Sequence, residues 1–238
     1  MIKKYSHSYI GKEYTTNEGY KAVIIDGGNK AGYATIKINT WESQVRIQNL
    51  ISGNIKYPYH HSVFGVGYIG EGKYTKKDYT KLYSLWQSML MRGYDIKYHT
   101  KQPTYKDVTV CEEWHSFQVF GVWFEANYIE GWELDKDLLM PGNKVYSPET
   151  TLFVPRTLNM FLSTNYSTNT SGCAGVELRS DNKWQASISI DGTRKYLGRF
   201  VEKSEAIKVY KLARIERVKY LRNAYKNILP IEALEAIR

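Results

Sequence analysis

Residues 175–200 read GVELRSDNKWQASISIDGTRKYLGRF, and this stretch decides the fold of the C-terminal part of the chain. Val176 to Arg179, Lys183 to Ile190 and Arg194 to Phe200 are strand-like runs. Asp181-Asn182 and Asp191-Gly192 separate them, and an Asp-Gly pair between alternating runs is among the strongest hairpin signals. A period of two puts Trp184, Ala186, Ile188 and Ile190 on one face and Lys183, Gln185, Ser187 and Ser189 on the other. Ser204 then reads as the cap of a helix that carries Ala206, Tyr210 and Ala213 at i, i+4 and i+7. Those residues let the helix lie close against the apolar sheet face. The pattern predicts a three-stranded antiparallel sheet on one helix, its polar face turned outward and flanked by Arg179, Arg194 and Lys195.

Charge is concentrated in the same region. The 238 residues include 33 Lys and Arg against 24 Asp and Glu, a net charge of +9. Residues 171–225 hold twelve of the basic residues and six of the acidic ones, so six of the nine net charges sit there. A solvated helix face accounts for Lys208, Lys211 and Lys219. It does not account for fork-shaped arginine donors beside an outward sheet face without apolar residues, which points to duplex DNA as the partner. The 21 tyrosines, 7 phenylalanines and 6 tryptophans read mainly as core and strand residues. Apolar residues make up 42% of the chain, with no run near the ~20 residues of a membrane span, so no membrane partner is expected. No signal-peptide pattern opens the sequence. Cys111 and Cys173 lack metal-ligand spacing, which argues against a disulfide framework or zinc site and fits a reducing, cytoplasmic setting.

Working back along the chain, residues 1–60 are β-rich. Ala22 to Ile25 and Tyr33 to Ile38 flank a turn at Asp26-Gly27-Gly28-Asn29. Pro58 to Gly72 carries Gly65, Gly67, Gly70 and Gly72 among aromatics and reads as a linker or a backbone surface lying close to its neighbour. Thr75 to Asp78 is a capping-box-like start for a helix in which Tyr79, Leu82, Tyr83, Trp86, Met89 and Leu90 recur up to Gly93. Thr109 to Glu112 offers a second cap, leading into Trp114, Phe117, Phe120 and Trp123/Phe124. A strand from Trp132 to Asp137, a turn at Pro141-Gly142-Asn143, a second strand from Thr151 to Val154 and a short helix after Pro155 follow. Ser163 to Gly172 is Ser/Thr/Asn-rich and reads as a linker. The expected fold class is α+β. Its divisions are 1–73 (β-rich, DNA-positioning, with the Gly-rich linker), 74–162, 163–172 and 173–238.

Gly175-Val176, Lys183 to Ile188, Tyr196 to Phe200, Glu205-Ala206, Tyr210 and Ala213 resemble the Apetala/ethylene-response-factor DNA-binding domain. The resemblance implies a sheet laid in the major groove, with contacts from Arg179, Ser187, Ser189, Arg194 and Tyr196. Lys183, Gln185 and Lys195 extend that candidate surface. Plant members carry more arginine on the first two strands, whereas Glu177, Ser187 and Ser189 stand here. The same domain ends phage HNH homing endonucleases, and the helix with Tyr83, Trp86, Met89-Leu90 and Arg92 resembles the one preceding their nuclease motif. Val110, Trp114, Phe117, Phe120 and Trp123 resemble the next helix. Trp132 to Asp137, Asn143 to Thr150, Phe153-Val154-Pro155 and Asn159 resemble a degenerate ββα-metal motif, which places the nuclease in residues 74–162.

The resemblance implies a site-specific, metal-dependent DNA endonuclease, either nicking or cutting both strands. Phosphodiester hydrolysis needs a metal to offset charge and a base to activate water. Asp135 stands at the metal-binding Asp and Asn159 in the first turn of the short helix. Lys136 replaces the usual His base, and Thr150 takes a position often held by Asn. A regular strand puts Asp135 and Asp137 on one face, so both approach a metal. The candidate catalytic residues are therefore Asp135, Lys136 and Asn159. The candidate ligands of a divalent metal, Mg²⁺ or Mn²⁺, are Asp135, Asp137 and Thr150. Lysine is a poor base near its ordinary pKa of ~10.4 and suits electrostatic stabilisation instead. His60 and His61 lie in the glycine linker, His99 in a loop and His115 near a helix start, none with a sequence partner that marks it as a base. The alternatives are a DNA-binding protein whose cleavage centre has decayed through Lys136 and Thr150, and a protein-interaction module whose Arg179/Arg194 face meets an acidic partner.

Overall fold

The computed structural model describes residues 9–27, 32–162 and 171–238. Four strands, β1 (Glu13–Thr15), β2 (Lys21–Asp26), β3 (Tyr33–Ile38) and β4 (Trp41–Arg46), form an antiparallel meander in sequence order. Alternation drives it: Ala22 and Ile24 on β2 and Ala34, Ile36 and Ile38 on β3 are buried, and β4 adds Trp41. The short helix α1 (Ile47–Ile51) closes that core with Leu50. Within the turn expected at 26–29, Gly28 and Asn29 lie outside the described residues.

The glycine-rich stretch is a close-packed backbone surface. Val63 bridges to Gly67, and Tyr68 bridges to Ser116. Gly67 abuts the next helix so tightly that a Cβ there would sit 2.4 Å from the Leu90 Cδ1 and 3.0 Å from the Trp86 ring. Helix α2 (Thr80–Tyr94) buries Leu82, Tyr83, Trp86, Met89 and Leu90, the predicted face. The Thr75/Asp78 pair forms as predicted: Asp78 N–H donates to Thr75 Oγ1 at 3.1 Å. It closes a turn ahead of the helix rather than capping it, since α2 starts at Thr80 after Tyr79. His99 lies on helix α3 (Ile96–Lys101), not in a loop, and its ring contacts the Arg92 carbonyl at 2.8 Å. The second predicted cap is corrected as well. Thr109–Val110 forms strand β5, Glu112–His115 is a 3₁₀ turn, and helix α4 (Phe117–Asn127) is capped by Ser116. The predicted aromatic stripe holds: Trp114, Phe117, Phe120 and Phe124 join the α2 face in one core, where the buried Trp86 Nε1–H donates to the Trp114 carbonyl at 2.8 Å.

Residues 132–162 run strand–loop–strand–helix, as the sequence predicts. Strand β6 (Trp132–Asp135) pairs antiparallel with β8 (Leu152–Pro155), and helix α5 (Arg156–Leu162) follows. Within the loop, β7 (Val145–Tyr146) pairs parallel with β5. Pro155 ends β8 instead of opening the helix.

The C-terminal sheet forms from β9 (Val176–Leu178), β10 (Trp184–Ile190) and β11 (Thr193–Phe200), with β10 central and both pairings antiparallel. Asp191 and Gly192 both take positive φ, 51° and 81°, as the predicted Asp-Gly hairpin turn requires. Helix α6 (Lys203–Tyr225) buries Ala206 and Tyr210 against the sheet; Ser204 falls inside its first turn, and the cap position is Glu202. A final helix, α7 (Ile231–Ala236), adds Ala233 and Leu234 to this core. Val154 and Leu158 of β8 and α5 belong to the same core as Val176, Ala186 and Ile188. The boundary drawn at 163–172 therefore separates two chain segments that share one apolar interior, and residues 163–170 of that linker lie outside the described residues.

Candidate functional site

Asp135 ends β6 and turns the chain. Its Oδ1 accepts hydrogen bonds from the backbone N–H groups of Asp137 (2.9 Å) and Leu138 (2.7 Å), a side-chain-closed turn. The strand therefore stops at Asp135, two residues short of the prediction, and Asp137 lies beyond it rather than sharing a strand face. The turn nevertheless brings the two carboxylates to one place. Asp135, Asp137, Pro141, Gly142 and Asn159 line a cleft of about 330 Å³, with Leu162 and Ala236 at its apolar side. Burial raises the Asp135 carboxyl above its ordinary pKa; the two N–H donors and Lys136 oppose that shift, and the Asp137 charge adds to it.

Asn159 reaches the cleft from the first turn of α5, and its Nδ2 donates to Glu133 Oε2 at 2.9 Å. Glu133, which the sequence reading left out, also faces Arg156 Nε at 3.8 Å and so ties β6 to α5. The only available signal was its place in an alternating strand two residues before Asp135.

Lys136 and Thr150 go elsewhere. Lys136 is only 6% exposed. Its Nζ donates to Asp137 Oδ1 and to the Asn143 carbonyl, both at 2.7 Å, and lies 5.9 Å from the Tyr146 ring centroid. This is a satisfied buried cation that fastens the loop, not one of the residues lining the cleft. Thr150 Oγ1 donates to the Val145 carbonyl at 2.8 Å and pairs with Ser147 Oγ at 3.1 Å, so it also serves the loop. The candidate set at the cleft is therefore Asp135, Asp137 and Asn159, and Lys136 and Thr150 leave it. Its oxygen donors suit Mg²⁺ or Mn²⁺, and one or two carboxylates with water are an ordinary set for Mg²⁺. Among the described residues no three His, Cys, Asp or Glu side chains cluster as a metal cage. His115 lies apart, its Nε2 2.9 Å from the Tyr94 hydroxyl, and burial lowers its pKa.

On the C-terminal sheet, register decides which candidates share a face. Gln185 pairs with Glu177 and Arg199, Ser187 with Tyr196, and Ser189 with Arg194. These residues stand opposite the helix-facing Ala186 and Ile188. Lys195 pairs with Ile188 and therefore belongs to the other face; Lys183 precedes β10 in the turn, where its N–H bonds Asp181 Oδ1. Both leave the outward set, and Arg199, which the sequence reading did not include, joins it. A register shift between Ala186 and Ser187 separates the two halves of the face.

The face is internally paired. Glu177 Oε1 lies 2.5 Å from Arg194 Nη2 and 3.5 Å from Arg179 Nη1. Arg194 Nε–H donates to the buried Ser187 Oγ at 2.7 Å, Arg179 Nε–H donates to Gln185 Oε1 at 3.2 Å, and Arg199 pairs with Asp181 at 2.9 Å. Tyr196, 60% exposed, stands beside this network. Exposed ion pairs are worth about 0–1 kcal/mol, so the three guanidinium groups can exchange these carboxylates for a stronger anion at little cost.

No helix among the described residues is long and apolar enough to cross a membrane. Comparison with known proteins found no matching family model, no similar curated protein and no matching solved structure.

Proposed function

We propose that this chain is a metal-dependent DNA endonuclease that holds duplex DNA on the outward face of β9–β11 and hydrolyses a phosphodiester at the cleft of Asp135, Asp137 and Asn159. One observation carries the reading. Residues separated by more than twenty positions meet at a single oxygen-lined cleft, in a molecule that also presents Arg179, Arg194 and Arg199 on one sheet face. A divalent ion held by Asp135 and Asp137 would supply charge compensation at the phosphate and a more acidic water. The chain's own contributions are positional. Asp135 is oriented by two backbone donors, Asn159 is oriented by Glu133, and Lys136 fixes the loop that carries Asp137. On the sheet, the arginine forks match phosphate and guanine edges, and Tyr196 and Gln185 add contacts.

A second reading, a DNA-binding protein that does not cut, is favoured by a specific feature: among the described residues no histidine lines the cleft, and the lysine at the expected base position is committed to the loop. Incubation of supercoiled plasmids carrying candidate sites with Mg²⁺, Mn²⁺ or EDTA separates the two. The endonuclease reading expects metal-dependent nicked or linear product, lost in Asp135→Asn and Asp137→Asn while DNA binding persists. Binding with no cleavage under any divalent metal leaves the second reading. DNA affinity that does not change with salt removes both, because each neutralised phosphate contributes about −0.9 to the slope of log K against log salt.

A further inference from the structure

Helix α6 buries Ala206, Tyr210, Arg217 and Leu221 along one stripe. Beside that stripe Lys211, Ile215, Val218 and Arg222 recur at helical spacing. With Lys219 and Arg238 they line a groove of about 460 Å³ between α6 and the segment that follows α7. Ile215 is 50% exposed, and Leu212, one turn before it, is 55% exposed. Arg222 fixes the groove wall. Its Nε donates to the Ile237 carbonyl at 3.2 Å, and its Nη2 donates to the Ile237 and Glu235 carbonyls at 3.0 and 3.1 Å. Those acceptors are neutral backbone carbonyls, so the bonds hold the guanidinium without cancelling its charge. Lys219 meets Glu216 at 2.9 Å in a water-exposed ion pair, which is a weak one. Among the described residues no acidic side chain lines the groove.

A solvated helix face or a phosphate backbone would account for the cations. Neither makes use of half-exposed aliphatic side chains set among them. An apolar floor ringed by cations is complementary to a helix whose apolar stripe is flanked by carboxylates. The floor supplies area removed from water, and the ring selects the partner and its orientation. We propose that this groove docks an acidic amphipathic helix of a partner protein. Its apolar stripe lies on Ile215 and Val218, and its Asp and Glu side chains meet Lys211, Lys219 and Arg222. The groove shares no lining residue with the cleft of Asp135 and Asp137, so the proposal does not depend on the endonuclease reading.

The test uses the full chain and three fluorescent synthetic peptides. One carries Leu at i, i+3 and i+7 of a helix with Glu at the flanking positions. The second has the same composition with the Leu residues dispersed around the helix, and the third has Lys in place of Glu. Wild type binds the first peptide about tenfold or more tightly than either control, read by anisotropy. Ile215→Ser removes the apolar floor without adding charge and lowers that affinity by about tenfold. Lys219→Gln lowers it less and flattens its salt dependence. Both sites are exposed, and urea midpoints check that the variants fold. Equal affinity for the patterned and dispersed peptides, or affinity unchanged in both variants, overturns the proposal. Two further results also overturn it. Loss of duplex DNA affinity in Ile215→Ser assigns the face to DNA, and a wild-type oligomer that this variant dissolves assigns it to a second copy of the chain.

Discussion

Lys136 shows how one residue's role changes between sequence and structure. The sequence reading set it at the base position of a nuclease motif, yet it is buried and makes two hydrogen bonds within its own loop. Replacing it with Met keeps the aliphatic stem and removes the donors, so Lys136→Met should lower stability by about 1–2 kcal/mol. Once corrected for the folded fraction, its DNA binding should match the wild type, while any cutting should fall because the loop that carries Asp137 loses its fastening; urea denaturation, DNA titration and plasmid cleavage measure the three. Asp135 makes the opposite case. Its folded pKa is raised by burial, so its ionisation opposes folding: the favourable contribution is complete below the unfolded pKa and falls away as pH rises through the folded one. Asp135→Asn keeps an Oδ1 for the Asp137 and Leu138 N–H groups and removes the charge. Its urea midpoint should exceed the wild type's at pH 7, and the difference should vanish near pH 3. A variant less stable than wild type at pH 7 would contradict this account.

Elements were legible where local chemistry decided them. The Asp191-Gly192 turn, the alternation of β2, β3 and β10, and the aromatic face of α2 were all read correctly because period and turn residues are properties of a few neighbours. Errors fell at termini. Thr75/Asp78 and Ser204 look like caps in sequence, but the helices start elsewhere, and Thr109–Val110 was drawn into strand β5 by a partner 36 residues away. Gly175 illustrates a constraint that neighbours alone do not reveal. It has φ +72°, and a Cβ there would sit 2.2 Å from the Ser187 carbonyl and 2.4 Å from the Tyr210 ring, where the entry to β9 crosses β10 and α6. Gly175→Ala should therefore cost about 2 kcal/mol or more through strain and crowding, measurable as a drop in the denaturation midpoint.

At the scale of the molecule, the described residues form three apolar cores, and the C-terminal one joins β8 and α5 to the C-terminal sheet and helices. The residues proposed to cut therefore rest on the same interior as the residues proposed to bind. Leu158 is fully buried there, so Leu158→Ala should cost about 2–5 kcal/mol. The loss should appear as increased proteolysis both in residues 132–162 and in residues 176–225. Protection of the C-terminal segment unchanged from wild type would show that the shared core does not couple them.

The sequence by itself determined the hairpin, the two-faced C-terminal sheet, the aromatic helices, the strand–loop–strand–helix order and the location of most of the net charge. Each of these follows from periodicity, turn chemistry or composition within a short window. Tertiary structure alone decided which polar residues face a common space. It gathered Asp135, Asp137 and Asn159 at one cleft and turned Lys136 and Thr150 into the loop. It also moved Lys195 to the helix side of the sheet and buried Arg217 beside Asp191. The physical reason is that a side chain's partners are set by burial and register between segments far apart in the chain, and a one-residue shift in strand end or bulge exchanges one face for the other.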